Sequence, residues 1–156
     1  MKGNRKKMKM KNITAALCVA MVATGFVCSC DTETSGNGDL DGLWHLRSVD
    51  TLSTGGYNDL SDEKIYWAVQ GDLLILDDKS DYYESIVMYF DHSNDSLRVY
   101  SPYIYNRTEG DPEIESVDQL RPYGINSTDE SFYIISLTGS RMILSTDTLQ
   151  LNFKKI

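Results

Sequence analysis

The sequence predicts an all-β fold, an eight-stranded antiparallel meander that closes into a barrel. Eight short apolar segments with strand spacing follow residue 41, and most connections between them have hairpin length. No segment carries the helical pattern of about 10 to 15 residues that joins parallel strands, which argues against an α/β fold. A β-sandwich is the other all-β choice, but sequential hairpins favour the meander, and eight strands are enough to close a barrel.

The first predicted strand, Gly42–Val49, follows a polar stretch of the chain. Successive side chains of a strand point to opposite faces. This alternation predicts that Trp44 and Leu46 share one face, and that Leu43 and Val49 share the other.

The central part of the chain is predicted to alternate between strands and short connections. Thr54–Asp59 is predicted as a loop, and Leu60–Lys64 as a single helical turn. Gln70–Asp72 has the composition of a tight hairpin turn, and Pro102 is expected to mark an edge or a bend. The strands of this part are Ile65–Val69, Leu73–Leu76, Ser85–Phe90 and Leu97–Tyr105.

The C-terminal part begins with a polar loop, Arg107–Ser116, and a short helix, Val117–Leu120, that Pro122 ends. Three closely spaced strands follow. The last strand alternates apolar and polar residues without interruption, as expected for an antiparallel strand that is buried on one face. These strands are Phe132–Leu137, Met142–Ser145 and Leu149–Lys155.

The N-terminal 29 residues have the composition of a secretory signal. They hold six of the 15 basic residues and none of the 23 acidic ones, and the mostly apolar run Ile13–Val27 follows the basic residues. This run is shorter than the roughly 20 residues that a membrane-spanning helix needs. The alternatives to a signal peptide are a buried helix or a permanent membrane span, and both fit the six preceding basic residues less well.

The end of the apolar run, Val27-Cys28-Ser29-Cys30, resembles a bacterial lipobox. The resemblance implies cleavage before Cys30 and attachment of a diacylglycerol to its thiol. Cys28 is the rival position, but Val27 before it is larger than the small residue expected next to the cut. Several acyl chains give stable anchoring, so the resemblance implies that the protein is attached to a membrane.

The chain is therefore expected to contain a signal peptide (1–29), a flexible tether (30–40) and a folded domain (41–156). Asp31 and Glu33 resemble an interrupted form of the acidic export signal of Bacteroidetes surface lipoproteins. The expected location is the outer membrane, at the cell surface or on its periplasmic face.

Gly42-Leu43-Trp44 on the first strand resembles the Gly-x-Trp signature of lipocalins. The closing segments, 120–125, 132–145 and 149–155, look like the lipocalin-like lipoprotein families of Bacteroidetes. The resemblance implies a small lipid-anchored, lipocalin-like barrel. It also implies that Gly42 and Trp44 close one barrel end, with an arginine packed beside the Trp44 ring. Arg141 is the candidate for that arginine by its position near the last strand.

The sequence contains no motif that indicates catalysis, and its charge does not suit nucleic-acid binding. The net charge of −8 disfavours nucleic acid, and residues 31–156 contain no cysteine. No Gly-x-Ser-x-Gly motif occurs, and His45 and His92 are expected at the surface. We therefore expect no enzyme activity, no cofactor and no metal. Two acidic groups offer oxygen ligands for calcium but lack the spacing of a calcium loop: Asp59, Asp62 and Glu63, and Asp77, Asp78 and Asp81.

The ten Tyr and two Trp residues give the one positive indication of function. Aromatic rings provide rigid contact area for a ligand or a protein. Trp67, Tyr89, Tyr100 and Tyr103 are the candidate contact residues, although tyrosine is also simply a good strand residue. The expected function is non-catalytic binding of a small apolar or sugar-like ligand in the barrel mouth, or of an envelope protein.

The alternative is a structural accessory subunit of an envelope complex. An open mouth lined by apolar and a few polar groups would favour a ligand. A barrel filled by Trp44, Trp67 and Phe90 would favour the accessory role.

Overall fold

The computed structural model describes residues 35–156, which form antiparallel strands and three short 3-10 helices. The 3-10 helices are η1 (Gly38–Leu40), η2 (Val117–Gln119) and η3 (Arg121–Tyr123). The strands are β1 (Gly42–Thr51), β2 (Gly56–Asp59), β3 (Ile65–Gln70), β4 (Leu73–Asp78), β5 (Ile86–His92), β6 (Ser96–Ile104), β7 (Asp129–Leu137), β8 (Arg141–Ser145) and β9 (Leu149–Lys155).

Eight of these strands form a closed antiparallel barrel. The strands β3 to β9 pair in chain order, β1 pairs with β3, and β9 returns to pair with β1. Closure removes the free sheet edges that would otherwise pair with other chains. The predicted eight-stranded meander is therefore confirmed, and the short helix predicted before Pro122 is present as η2.

The ninth strand corrects the prediction for Thr54–Asp59. A turn at residues 52–55 folds the chain back, so β2 pairs with the end of β1 in the register Ser48 to Asp59. All four residues of β2 are exposed, so they lack the apolar alternation that would have indicated a strand. Residues 60–64 form a single turn with a hydrogen bond from Glu63 N to Leu60 O, not a helical turn.

A bulge in β1 also corrects the predicted face of Val49. The register of β1 against β9 shifts between Leu46 and Ser48, so Arg47 is an extra residue. A bulge changes which face the following side chains occupy. Trp44 and Leu46 point into the barrel as predicted, and Val49 packs against the same core instead of facing outward.

Large side chains fill the barrel interior. Trp44, Trp67 and Met88 are fully buried, and Phe90 is 9% exposed. The Trp67 ring centroid lies 4.9 Å from that of Phe153, in a tilted arrangement that aromatic pairs favour. Complete burial of a residue of this size contributes on the order of 1.5 to 3 kcal/mol to folding. The interior is therefore a packed core.

The barrel end near η1, called here the base, is closed by the Gly-x-Trp segment. Trp44 Nε1 donates a hydrogen bond to Leu40 O at 2.7 Å, and Leu40 is fully buried. Gly42 has a φ of 119°, and a Cβ there would lie 2.8 Å from Lys155 Cε. The last residues of the expected tether, 38–40, thus belong to the folded domain; its residues 30–34 lie outside the described residues.

The cation beside Trp44 is Lys155, which corrects the prediction for Arg141. Lys155 Nζ lies 4.8 Å from the centre of the Trp44 ring and donates to Asp39 O at 2.8 Å. Arg141 is exposed and lies opposite Lys154 in the β8–β9 register. The pairing of β1 with β9 places Lys155 opposite Trp44.

The opposite end is closed by the segment around η3. Leu120, Tyr123 and Ile125 are fully buried, and Trp67 Nε1 donates to Tyr123 O at 3.1 Å. Gly124 has a φ of 84°, and a Cβ there would lie 2.6 Å from Leu151 Cδ2. Only glycine fits this position without strain. The barrel is therefore closed at both ends by its own chain.

Candidate functional site

The four predicted contact residues lie in two places. Trp67 is fully buried in the barrel interior, where it packs on Phe153. Tyr89, Tyr100 and Tyr103 lie together on the outer wall of β5 and β6. The structure thus separates Trp67 from the tyrosines and brings the three tyrosines together.

A bulge in β6 places the tyrosines on one face. Tyr89 pairs with Tyr100 and Val87 with Tyr103, so the register shifts by one residue between the two pairs. The shift falls at Ser101, whose φ is 53°, and at Pro102, which is buried. This confirms that Pro102 marks a bend. Because of the extra residue, Tyr100 and Tyr103 both point outward.

The tyrosine rings are held in place by neighbouring side chains. The Tyr89 and Tyr100 rings are stacked, with centroids 6.1 Å apart. The Arg98 guanidinium lies 4.8 Å from the centre of the Tyr100 ring, within the range of cation–π attraction. Arg107 lies over Tyr105 in the same way, at 5.1 Å.

Arg98 is held by two carboxylates. Its Nε and Nη2 donate to Asp129 at 2.8 and 2.6 Å, and its Nη1 donates to Asp91 at 3.4 Å. Hydrogen bonding to Asp129 raises the pKa of Arg98, and the same contact lowers the pKa of Asp129. This bidentate geometry fixes the guanidinium plane over the Tyr100 ring.

A cavity of about 450 Å³ lies beside these residues, and we call it the tyrosine cleft. It forms because β7 pairs with β6 only as far as Tyr100 and Asp129, whereas β6 continues to Ile104. The chain then returns along the uncovered part of β6, with Ile104 N donating to Pro112 O at 2.8 Å. Its principal lining residues are Arg98, Tyr100, Tyr103, Glu113, Thr128 and Asp129.

A second cavity, of about 260 Å³, lies on the other side of Tyr103. Its lining includes Tyr89, Arg107 and Asp111, and Arg107 Nη1 lies 3.1 Å from Asp111 Oδ2. Tyr103 lines this cavity and the tyrosine cleft, so its ring is their common wall.

The mouth cleft, of about 550 Å³, lies at the barrel end that η3 closes. Leu60 and Leu149 contribute apolar surface, Tyr82 and Tyr83 are exposed at its rim, and Arg121 adds a cation. The mouth is therefore a surface cleft above a filled barrel.

Among the histidines and acidic clusters of the described residues, His45 and Asp78 have structural roles. His45 is 7% exposed, contrary to expectation, because the 61–64 turn covers it and its Nε2 lies 2.7 Å from Glu63 O. His92 ends β5. The Asp78 carboxylate accepts hydrogen bonds from the backbone N–H groups of Ser80 and Tyr82. Within residues 35–156, no group of three or more His, Cys, Asp or Glu side chains is placed to hold a metal ion.

The predictions for the N-terminus lie outside the described residues. These are the signal peptide and the lipid on Cys30. Among residues 35–156, none of the helices has the length and apolar character required to cross a bilayer.

A closed antiparallel barrel with a Gly-x-Trp segment at its base is typical of the lipocalin-like fold. A family profile described as the lipocalin-like domain matches residues 24–156, and the chain belongs to this family. A search of curated proteins found no match.

Two solved structures from Bacteroides share the fold. A lipocalin-like protein from Bacteroides uniformis is 16% identical, with a TM-score of 0.56 over 76% of this chain and 100% of that chain. An uncharacterized protein from Bacteroides eggerthii is 19% identical, with a TM-score of 0.55 over 74% of this chain and 98% of that chain. These similarities confirm the lipocalin-like barrel.

Proposed function

We propose that this protein is a non-catalytic binding protein, held at the outer membrane by a lipid on Cys30, that contacts its ligand or partner through the tyrosine cleft. The observation that carries the proposal is the position of the tyrosines. Tyr89, Tyr100 and Tyr103 lie on the outer wall beside a cavity, while the interior is filled by Trp44 and Trp67.

The tyrosine cleft has features that favour recognition. Tyr89, which stacks on Tyr100 and lines the second cavity, is 46% exposed although its ring is large. Tyrosine is enriched at binding surfaces because it loses little conformational entropy and combines an apolar ring with a hydroxyl. The fixed Arg98–Asp129 pair reduces the ordering required on binding.

Tyrosine footprinting tests the proposal. Intact producing cells and the purified full-length protein are treated with tetranitromethane, and nitration is quantified for each tyrosine by peptide mass spectrometry. We expect Tyr89 and Tyr103 to be less reactive in cells than in the purified protein. Tyr57 and Tyr133, which are 67% and 62% exposed elsewhere on the barrel, are the internal controls.

The same experiment separates two other functions. The volume of the mouth cleft favours a small ligand there, which would protect Tyr82 and Tyr83 instead. The filled interior favours the structural accessory subunit, which would protect Tyr57 or Tyr133 at a packing surface outside both clefts. Equal reactivity of Tyr89 and Tyr103 in cells and after purification would contradict binding at the tyrosine cleft.

Anchoring is tested separately by fractionation. We expect Cys30→Ala to move the protein from the membrane fraction to the soluble fraction, because the diacylglycerol attachment site is lost. Cys28→Ala is the matched control and should leave the protein in the membrane fraction. Membrane association that persists in Cys30→Ala would refute the anchor.

A further inference from the structure

The two arginines beside the tyrosine cleft and the second cavity are already paired with carboxylates. Arg98 is bound by Asp129 and Asp91, and Arg107 lies 3.1 Å from Asp111. A charged ligand would have to compete with these contacts. An anion would also meet Glu113 on the cleft lining. The arrangement therefore favours a ligand without net charge.

The ring faces are not equally free. Arg98 lies over Tyr100, which also stacks on Tyr89, and Arg107 lies over Tyr105. Among the described residues, no cation or second aromatic ring is stacked on Tyr103. Its ring nevertheless lines two cavities. Within the tyrosine cleft, the aromatic ring without a stacked neighbour is thus that of Tyr103, and arginines of the protein itself lie over Tyr100 and Tyr105.

Pro102 and Ile114 add apolar surface to the tyrosine cleft, and the rest of its lining is polar. Ser101 and Thr128 bring hydroxyl groups to the tyrosine cleft, and Glu113 brings a carboxylate. A purely apolar ligand would remove these groups from water without replacing their hydrogen bonds, which is unfavourable. The ligand must therefore offer several donors and acceptors as well as one apolar face for the Tyr103 ring.

We propose that the tyrosine cleft binds a neutral carbohydrate, with one sugar ring packed on Tyr103; this inference rests on the proposed function. A pyranose presents hydroxyl groups around its edge and C–H groups on its face, and the C–H groups pack against the negative face of an aromatic ring. A cavity of about 450 Å³ is within the size range of small-molecule sites. The second cavity across Tyr103, of about 260 Å³, extends the site for an oligosaccharide.

A glycan array tests this inference with the purified full-length protein. The array carries neutral, sialylated and sulfated glycans, and a neutral glycan that binds is then measured in solution by calorimetry. We expect binding to neutral glycans that changes little between 0.1 and 0.5 M NaCl, because no charge pair is formed. Binding only to charged glycans, or to none, overturns the inference.

Variants locate the site on the protein. We expect Tyr103→Ala to lower the affinity for the neutral glycan about tenfold. Tyr103→Phe keeps the ring, so its affinity should lie within roughly threefold of that of the unmodified protein. Tyr133→Ala removes an equally aromatic but distant exposed residue and should leave the affinity unchanged. Thr128→Val should weaken binding without affecting the fold, since Thr128 is exposed. Equal affinity in all four variants would contradict the assignment of the binding site to the tyrosine cleft.

The outcomes for the two proposals are distinct. If no glycan binds but Tyr89 and Tyr103 are protected in cells, the cleft binds another kind of partner and only the carbohydrate inference fails. A basic peptide, for example, would bind with an affinity that falls steeply with salt. If the two tyrosines are also unprotected in cells, the proposed function fails as well.

Discussion

The outer wall of the barrel differs sharply between its two sides. On β1 and β9 it is a polar network, in which Asn152 Nδ2 donates to Ser48 Oγ at 3.0 Å and to Asp50 Oδ2 at 3.1 Å. Gln150 Nε2 also donates to Asp50 Oδ2, at 3.3 Å. The side chains of this polar wall hydrogen-bond to one another, although Asp50 Oδ1 is buried without a partner.

The other side, across β4, β5 and β6, is apolar and aromatic. Leu73 pairs with Tyr89 and Tyr89 with Tyr100, while Ile75 pairs with Val87 and Val87 with Tyr103. These side chains face outward, whereas the core of the protein is already formed by the side chains that fill the barrel interior. The comparison indicates that the polar wall contributes to stability, whereas the tyrosine wall supplies contact area beyond what folding requires.

The largest effect is expected inside the barrel, where neither wall is touched. Trp67→Ala should reduce the free energy of unfolding by about 4 kcal/mol, because it removes a fully buried ring and leaves a cavity. Urea denaturation followed by circular dichroism measures this loss. In the fraction that remains folded, binding at the tyrosine cleft should persist; loss of binding there would show that the outer wall depends on the packing around Trp67.

A smaller loss is expected on the polar wall. Asn152→Ala should cost about 1 to 2 kcal/mol of stability, because Ser48 and Asp50 each lose a hydrogen bond and Asp50 Oδ1 is already buried without a partner. The same denaturation experiment measures it. Glycan binding should be unaffected, with Lys154→Ala as an exposed control on the same strand. A lower affinity of Asn152→Ala for the glycan would show that the two walls are not independent.

The tyrosine wall should respond in the opposite way. Tyr89→Ser should change stability by about 1 kcal/mol or less, since the ring is 46% exposed and loses mainly its stacking on Tyr100. Binding at the tyrosine cleft should fall, because Tyr89 supports the Tyr100 ring and lines the second cavity. Calorimetry and urea denaturation on the same sample separate the two effects. A large stability loss with intact binding would assign Tyr89 to the fold.

The sequence predicts the structural features that depend on the spacing of neighbouring residues. The alternation in Leu149–Lys155 and the spacing of Ile65, Trp67 and Val69 come from the strand period, and they correctly predicted strands. The same spacing already grouped Trp67 with two core residues, which was the signal that it faces inward. Gly-x-Trp indicated a closed barrel end, and in the structure Trp44 is fully buried and hydrogen-bonded to Leu40 O.

The features that the sequence could not predict depend on register. Tyr100 and Tyr103 are three residues apart, so strict alternation places them on opposite faces, and only the bulge at Ser101 brings them together. Lys155 rather than Arg141 meets Trp44 because of how β9 pairs with β1. Pro102 indicated a bend, but neither the direction in which the bulge turns Tyr103 nor the pairing of β9 with β1 can be read from the local pattern of apolar residues.

The smallest effect concerns pH and lies at the start of β7, between the two walls. Asp129 and Glu130 are neighbours with opposite shifts: the contact with Arg98 lowers the pKa of Asp129, while burial raises the pKa of Glu130. A raised carboxyl pKa means that the folded state holds the proton more tightly than the unfolded state does. The stability that Glu130 contributes is therefore present below its unfolded pKa and is lost as pH rises through its higher folded pKa.

Glu130→Gln tests this assignment by thermal unfolding between pH 4 and pH 7. The amide oxygen can still accept the hydrogen bond from Asn126 N, but the charge is gone. We expect Glu130→Gln to be more stable relative to the unmodified protein at pH 7 than at pH 4. Asp129→Asn should show no such gain, because Asp129 is ionised in both folded and unfolded states over most of this range. Parallel melting curves for Glu130→Gln and the unmodified protein would show that burial of Glu130 does not affect stability.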